Sequence, residues 1–215
     1  METGKSRPLL CALLTLATLL SGTRGTPGAP WEPPAFCGDY KCPDYSVQYT
    51  SDDYEERKYV ETQWLTTGVQ SVQVDDLTDG FKKLKSVCDG NNEGVHKVNC
   101  KTWPALITVT QGESDAESVS VSWFFPPEVD LPTPLDTSVS KEVRPAGIVY
   151  VRTFPDPVNK DTVSSNLSLL RKALAGKPIE HHRYTGAGYN NPWDIFKTHH
   201  NEIWVNAVPQ DQKSK

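Results

Sequence analysis

The sequence predicts an α+β domain in which two helices lie against a curled antiparallel sheet, the second half of the chain repeating the first. Three observations predict it. Leu77, Phe81, Leu84 and Cys88 fall at i, i+4, i+7 and i+11, one apolar stripe of an α-helix. Val163, Leu167, Leu170 and Leu174 repeat that stripe with the same spacing. Each stripe is preceded and followed by two strand-like stretches, so the order strand, strand, helix, strand, strand occurs twice. One helix on a two-stranded ribbon cannot bury its apolar face, and the second copy supplies the other half of a core.

The chain has 215 residues and a formal net charge of −5. Lys5 and Arg7 precede an apolar run from Leu9 to Leu20, and small residues follow from Ser21 to Gly25. This is the pattern of a secretory signal peptide over residues 1–25, and the run is shorter than the roughly 20 residues a spanning helix needs. Its removal takes away more cationic than anionic charge. The acidic mature chain is then a poor partner for nucleic acid or anionic membranes. Residues 26–36 form a proline-rich leader, with Trp31 as a possible docking group. Residues 37–209 form the folded domain, and 210–215 are a polar tail.

Within the domain, Tyr45 to Tyr49 alternates as an entering strand. Tyr54 to Val60 is a second strand, too charged to be buried on both faces, and Gln63 to Val69 is a third, rich in aromatic, β-branched and threonine residues. Asp75 and Asp76 are expected to cap the first helix, and Asp89-Gly90-Asn91-Asn92 to stop it. His96 to Cys100 is a short strand candidate. Ala105 to Thr110 follows, and after a turn at Gln111 to Asp115 comes the clearest period-2 signal of the chain, Val119, Val121, Trp123 and Phe125 alternating with serines. Prolines from Pro126 to Pro134 mark a crossing loop. Val139 to Arg144 and Gly147 to Phe154 are the next strands, the second helix ends at Gly176 and Pro178, and His181 to Tyr189 and Glu202 to Val208 complete the pattern.

Cys11 leaves with the signal, so four cysteines remain in an oxidising route. Of the three possible pairings the two local ones are favoured, Cys37 with Cys42 and Cys88 with Cys100; neither spacing is that of a zinc finger. Asn166-Leu167-Ser168 is the single glycosylation sequon. Asn166 sits about 100° around the helix from the stripe residue Leu167 and is expected to face solvent and carry a glycan.

Three stretches resemble the SOUL haem-binding protein family, from about Cys37 onward. Tyr54-Glu55-Glu56-Arg57-Lys58-Tyr59 followed by Trp64 is similar to its first hairpin, and Gly90-Asn91-Asn92-Glu93 to its turn after the first helix. Tyr184-Thr185-Gly186-Ala187-Gly188-Tyr189, Asn190-Asn191-Pro192 and Asn201-Glu202-Ile203-Trp204 are similar to its C-terminal signature, in order. The early cysteine pair followed by Pro43 resembles the secreted members. The resemblance implies a distorted antiparallel β-barrel flanked by two helices that binds haem or a related tetrapyrrole without catalysis. The sequence departs at Lys58, where some members carry a histidine proposed as an iron ligand, and at Lys101-Thr102-Trp103-Pro104-Ala105, where the family has Met-Thr-Ala-Pro-Val.

Haem iron is held by His, Cys thiolate, Met or Tyr. Met1 is the sole methionine and goes with the signal, and paired cysteines do not ligate. His96, His181, His182, His199, His200, the tyrosines and Lys58 remain, none in a recognised metal spacing. Neighbours on a strand point to opposite faces, so one of each histidine pair at most can face a site. A zinc hydrolase built on these histidines with Glu202 lacks a nucleophile or metal signature. The expected ligand site is an apolar cleft beside the first helix, with Leu77, Phe81 and Leu84 against the macrocycle and Lys85 reaching a haem propionate from the rim. The other reading is an interaction module, or a general apolar-ligand carrier, on the same fold without haem.

Overall fold

The computed structural model describes residues 31–112, 116–155, 157–190 and 200–209. The expected signal peptide, residues 26–30 of the leader, His199, the Asn191-Pro192 motif and the polar tail lie outside these residues. After a 3-10 turn at Ala35–Cys37, the elements run β1 (Tyr45–Thr50), β2 (Glu55–Tyr59), β3 (Thr62–Val69), α1 (Val74–Cys88), β4 (Ala105–Gln111) and β5 (Glu117–Phe125). The second half continues β6 (Val139–Arg144), β7 (Gly147–Phe154), α2 (Lys160–Ala173), β8 (Arg183–Gly188) and β9 (Asn201–Asn206). The order of the first half, β2-β3-α1-β4-β5, recurs as β6-β7-α2-β8-β9, as the duplicated pattern predicts.

The nine strands form one curled antiparallel sheet in the order β1-β2-β7-β9-β8-β4-β5-β3-β6. The halves meet where β4 pairs with β8. They also exchange strands: β2 pairs with β7 of the second half, and β6 with β3 of the first. One face of this half-barrel carries both helices. α1 lies over β3 and β5, and α2 over β7 and β9, which leaves β4 and β8 between them.

Alternation along each strand divides the core between the two faces. On the helix face, Leu84 and Val87 of α1 bury Leu65, Val121 and Phe125, while Leu167 and Leu170 of α2 bury Tyr150, Ile203 and Val205. The inner face holds Tyr59, Trp64, Leu106, Phe124, Ala187 and Trp204. The Cys37–Cys42 disulfide packs into that inner cluster. Trp31 packs there too, edge-on to Tyr45, and Phe36 stacks on the His200 ring with centroids 3.7 Å apart. The leader's end is thus part of the fold.

α1 approaches the sheet most closely at Gly80, which is buried. A Cβ there would lie 2.5 Å from Val69 Cγ1 and 2.7 Å from Val121 Cγ2. Beyond α1, Gly90 takes a positive φ of 116°, the left-handed conformation a helix stop requires, and Gly176 does the same after α2.

Three local expectations are corrected. Asp75 and Asp76 lie in the first turn of α1 rather than at its N-cap, which is Gln73; Asp76 instead accepts from the Ser71 hydroxyl. The segment His96 to Cys100 is not a strand. Its backbone is held by the buried Asn92 amide, which donates to the Val87 and His96 carbonyls, by the Val98 amide donating to Cys88 O, and by the Cys88–Cys100 disulfide. Asn166 does not face solvent. It is buried, accepts from Arg152 Nε at 3.0 Å and donates to Thr162 O at 2.8 Å, because α2 turns this side of the helix toward β7.

Candidate ligand sites on the two faces of the sheet

The cleft expected beside the first helix corresponds to the strip of helix face between α1 and α2. Register places Ile107 of β4 opposite Val121 on one side and Gly186 on the other, and Ala105 between Trp123 and Gly188. The floor of the strip is therefore Ala105, Gly186 and Gly188. A Cβ at Gly188 would meet nothing within 4 Å, and one at Gly186 would meet only Ile107 O, at 3.9 Å. Phe81 and Trp123 form its wall on the α1 side, in edge contact with centroids 6.4 Å apart, and both are half-buried. Trp123 Nε1 is buried and has no hydrogen-bond partner among the described residues.

The four residues expected to hold a ligand divide by depth. Leu77 and Phe81 are half-buried against the α1 core, whereas Leu84 is fully buried beneath the helix and supports the wall from behind. Lys85 lies on the exposed side, its ammonium paired with Asp89 one turn on. Of the possible iron ligands, His96, His181, His182 and Lys58 are exposed.

The inner face holds a charged cluster in the core. Glu202 is fully buried. Its Oε1 lies 2.9 Å from Arg57 Nη1 and 2.8 Å from His200 Nε2, and its Oε2 accepts from Tyr189 Oη at 2.9 Å and Trp204 Nε1 at 2.6 Å. Arg57, also buried, donates through Nε to Glu55 and stacks over the Tyr45 ring. Burial pushes the Glu202 carboxyl up, yet the His200 hydrogen bond, the Arg57 charge and the Trp204 donor together hold it below its ordinary value. Burial, reinforced by the Glu202 charge, pushes the Tyr189 and Tyr59 phenols up, so Tyr189 keeps the proton it donates.

At the mouth of the half-barrel a cavity of about 770 Å³ opens on this inner face, with Tyr59, Trp64 and Trp204 among its lining. Arg144 lies over the Trp64 ring at 4.9 Å and forks onto Glu142. Arg183 also lines the cavity, 3.9 Å from the same carboxylate.

Sequence reasoning did not find this cluster or this cavity. Arg57 and Glu202 stand among other charges or at a strand start, where a solvated position is the default. One signal was present: Glu202 opens the run Ile203-Trp204-Val205, which leaves no polar face for a carboxylate. Gly186 and Gly188 carried a second, since glycine inside a strand often marks a close approach of backbone to a ligand.

No helix among the described residues is long and apolar enough to cross a membrane. Among solved structures, a hydrolase from Listeria innocua is similar to the chain with a TM-score of 0.51 at 10% identity, covering 75% of this chain and 94% of that one. The C-terminal domain of EcmrR aligns with a TM-score of 0.52 at 10% identity, covering 76% and 99%. At such identities these likenesses speak for the fold alone. In sequence, human heme-binding protein 2 is 32% identical over 161 residues, covering 71% of this chain and 77% of that protein. The model of the SOUL heme-binding protein family matches residues 40–206, which span every strand and both helices. With sequence and architecture in agreement, the chain belongs to the SOUL haem-binding family.

Proposed function

We propose that this protein is a secreted, non-enzymatic binder of haem or a related tetrapyrrole, and that the macrocycle lies in the strip beside α1. The observation that carries the site is the open glycine floor at Gly186 and Gly188 next to the half-buried Phe81 and Trp123 rings. A flat ring can lie against bare strand backbone and gain roughly 25 cal/mol per Å² of apolar surface it removes from water, before the cost of immobilisation. Leu77 extends the apolar wall. Lys85 stands on the same helix, able to exchange Asp89 for a propionate. Membership of a haem-binding family supports the ligand, and the N-terminal signal pattern supports the route.

Haem titration of the mature chain, followed by absorbance, tests both parts. Wild-type protein should bind one equivalent saturably. Gly188→Val, whose Cβ would meet nothing within 4 Å, should weaken binding at least tenfold and leave the fold intact. Lys85→Glu should weaken it less. Absence of saturable binding by wild-type protein would leave the carrier of another apolar ligand as the better reading. Undiminished binding by Gly188→Val would move the macrocycle elsewhere. Expression in eukaryotic cells should deliver the chain to the medium with an N-terminus between residues 22 and 26.

A further inference from the structure

We propose that the cavity on the inner face is a second binding site, taking a small amphipathic carboxylate whose acid group docks on Arg183. Its volume of about 770 Å³ lies in the range of small-molecule sites. It is on the opposite face of the sheet from the haem strip, since Trp64 and Leu65, adjacent on β3, point into the cavity and under α1 respectively.

Two features of the lining select the ligand. The two tryptophans present ring surface rather than donors: Trp64 Nε1 is spent on Thr62 Oγ1 at 2.8 Å, and Trp204 Nε1 on Glu202. With Val149 they make a wall suited to an apolar or aromatic body. The charged groups are unequally satisfied. Glu142 is held by Arg144 and the Thr66 hydroxyl, Glu56 by Lys177 at 2.9 Å, and Glu180 accepts from Asn206 Nδ2 at 3.1 Å. Arg144 is committed to Glu142 and to Ser122. Among the described residues the Arg183 guanidinium has only the long 3.9 Å approach to Glu142, and its Nε is buried with no partner. A guanidinium held by one long ion pair, at the wall of a cavity whose other charges are paired, suits an acceptor with two oxygens in one plane, as a carboxylate has.

The test uses the mature full chain and two acids of different body, indole-3-acetate and laurate, with indole-3-ethanol and dodecanol as neutral counterparts, followed by calorimetry. At least one acid should bind saturably and more than tenfold tighter than its alcohol. Arg183→Gln should reduce that acid to the level of its alcohol, and Arg183→Lys, which keeps the cation, should restore part of the difference; circular dichroism of both variants should match wild type. Equal affinity for acid and alcohol, no saturable binding of either acid, or an undiminished affinity in folded Arg183→Gln would overturn the proposal. The haem reading stands or falls separately, because Gly188→Val should leave acid binding unchanged.

Discussion

Arg57 and Glu202 form a salt bridge of 2.9 Å between two side chains that are almost wholly withdrawn from water, joining β2 to β9 across the intervening β7. Two isolated charges at this depth would be costly, and the pair persists because its remaining valences are met by Glu55, Tyr189, Trp204 and His200. Removing one partner exposes that cost. Arg57→Met should destabilise the protein by about 3–5 kcal/mol. Combining it with Glu202→Gln should cost less than the two single changes added together, by about 1–3 kcal/mol. Urea unfolding of the four proteins measures the cycle, and strict additivity would mean that the pair is not coupled.

The same carboxylate makes stability depend on acid. The Glu202 pKa is lower in the folded protein than its ordinary value of 4.5, so the folded state holds fewer protons than the unfolded chain. Its contribution is complete above about 4.5 and is lost as pH falls through the lower, folded value. The unfolding free energy of wild-type protein should therefore decline below pH 4.5 more steeply than that of Glu202→Gln. Parallel profiles would assign the acid lability to other carboxylates, Glu142 first among them.

Gly80→Ala should destabilise although alanine is the better helix former by about 1 kcal/mol. The added methyl would overlap Val69 and Val121, and overpacking of a close helix–sheet contact costs about 1–3 kcal/mol. Thermal unfolding reads the sign. A rise in Tm would show that α1 can lift without loss.

Asn166 should be unmodified in the folded protein expressed in eukaryotic cells, because both ends of its amide are in use. Glycosidase treatment should leave gel mobility unchanged. Asn166→Ala should cost about 1 kcal/mol by leaving a half-buried guanidinium donor of Arg152 unmet.

Single alanine substitutions at His96, His181 and His182 should change haem affinity by less than tenfold, or 1.4 kcal/mol, as these side chains are exposed. Loss of binding together with a low-spin absorption spectrum in one of them would identify an axial ligand and a coordination-driven site.

The two helices and the strand β5 were legible in the chain because their periodicity is written in consecutive residues, and tertiary packing agreed with it. The two disulfides are the local pairings favoured among the three that four cysteines allow. What was not legible depends on residues far apart in sequence. Arg57 lies in a run of charges that looks solvated, and nothing near it announces Glu202. The opening beside Arg183 exists only when β6, β8 and β9 are brought to one mouth. His96 to Cys100 was misread for the opposite reason: its alternation is weak, and the Asn92 side chain, rather than a neighbouring strand, takes the His96 carbonyl.

The exchange of strands between the halves bears on how the chain can fold as it is made. β2 emerges early in synthesis, but its partner β7 lies beyond the whole first half, and the carboxylate that neutralises Arg57 arrives only with the last strand. The first half by itself has α1 and five strands, with an apolar inner face and an Arg57 guanidinium that lacks the Glu202 carboxylate. It is a sticky fragment rather than a folding unit. Non-local pairings of this kind slow folding. A nascent chain released at the proline-rich loop between the halves should therefore be degraded or held by chaperones, and co-expressed halves should recover structure only by associating with each other.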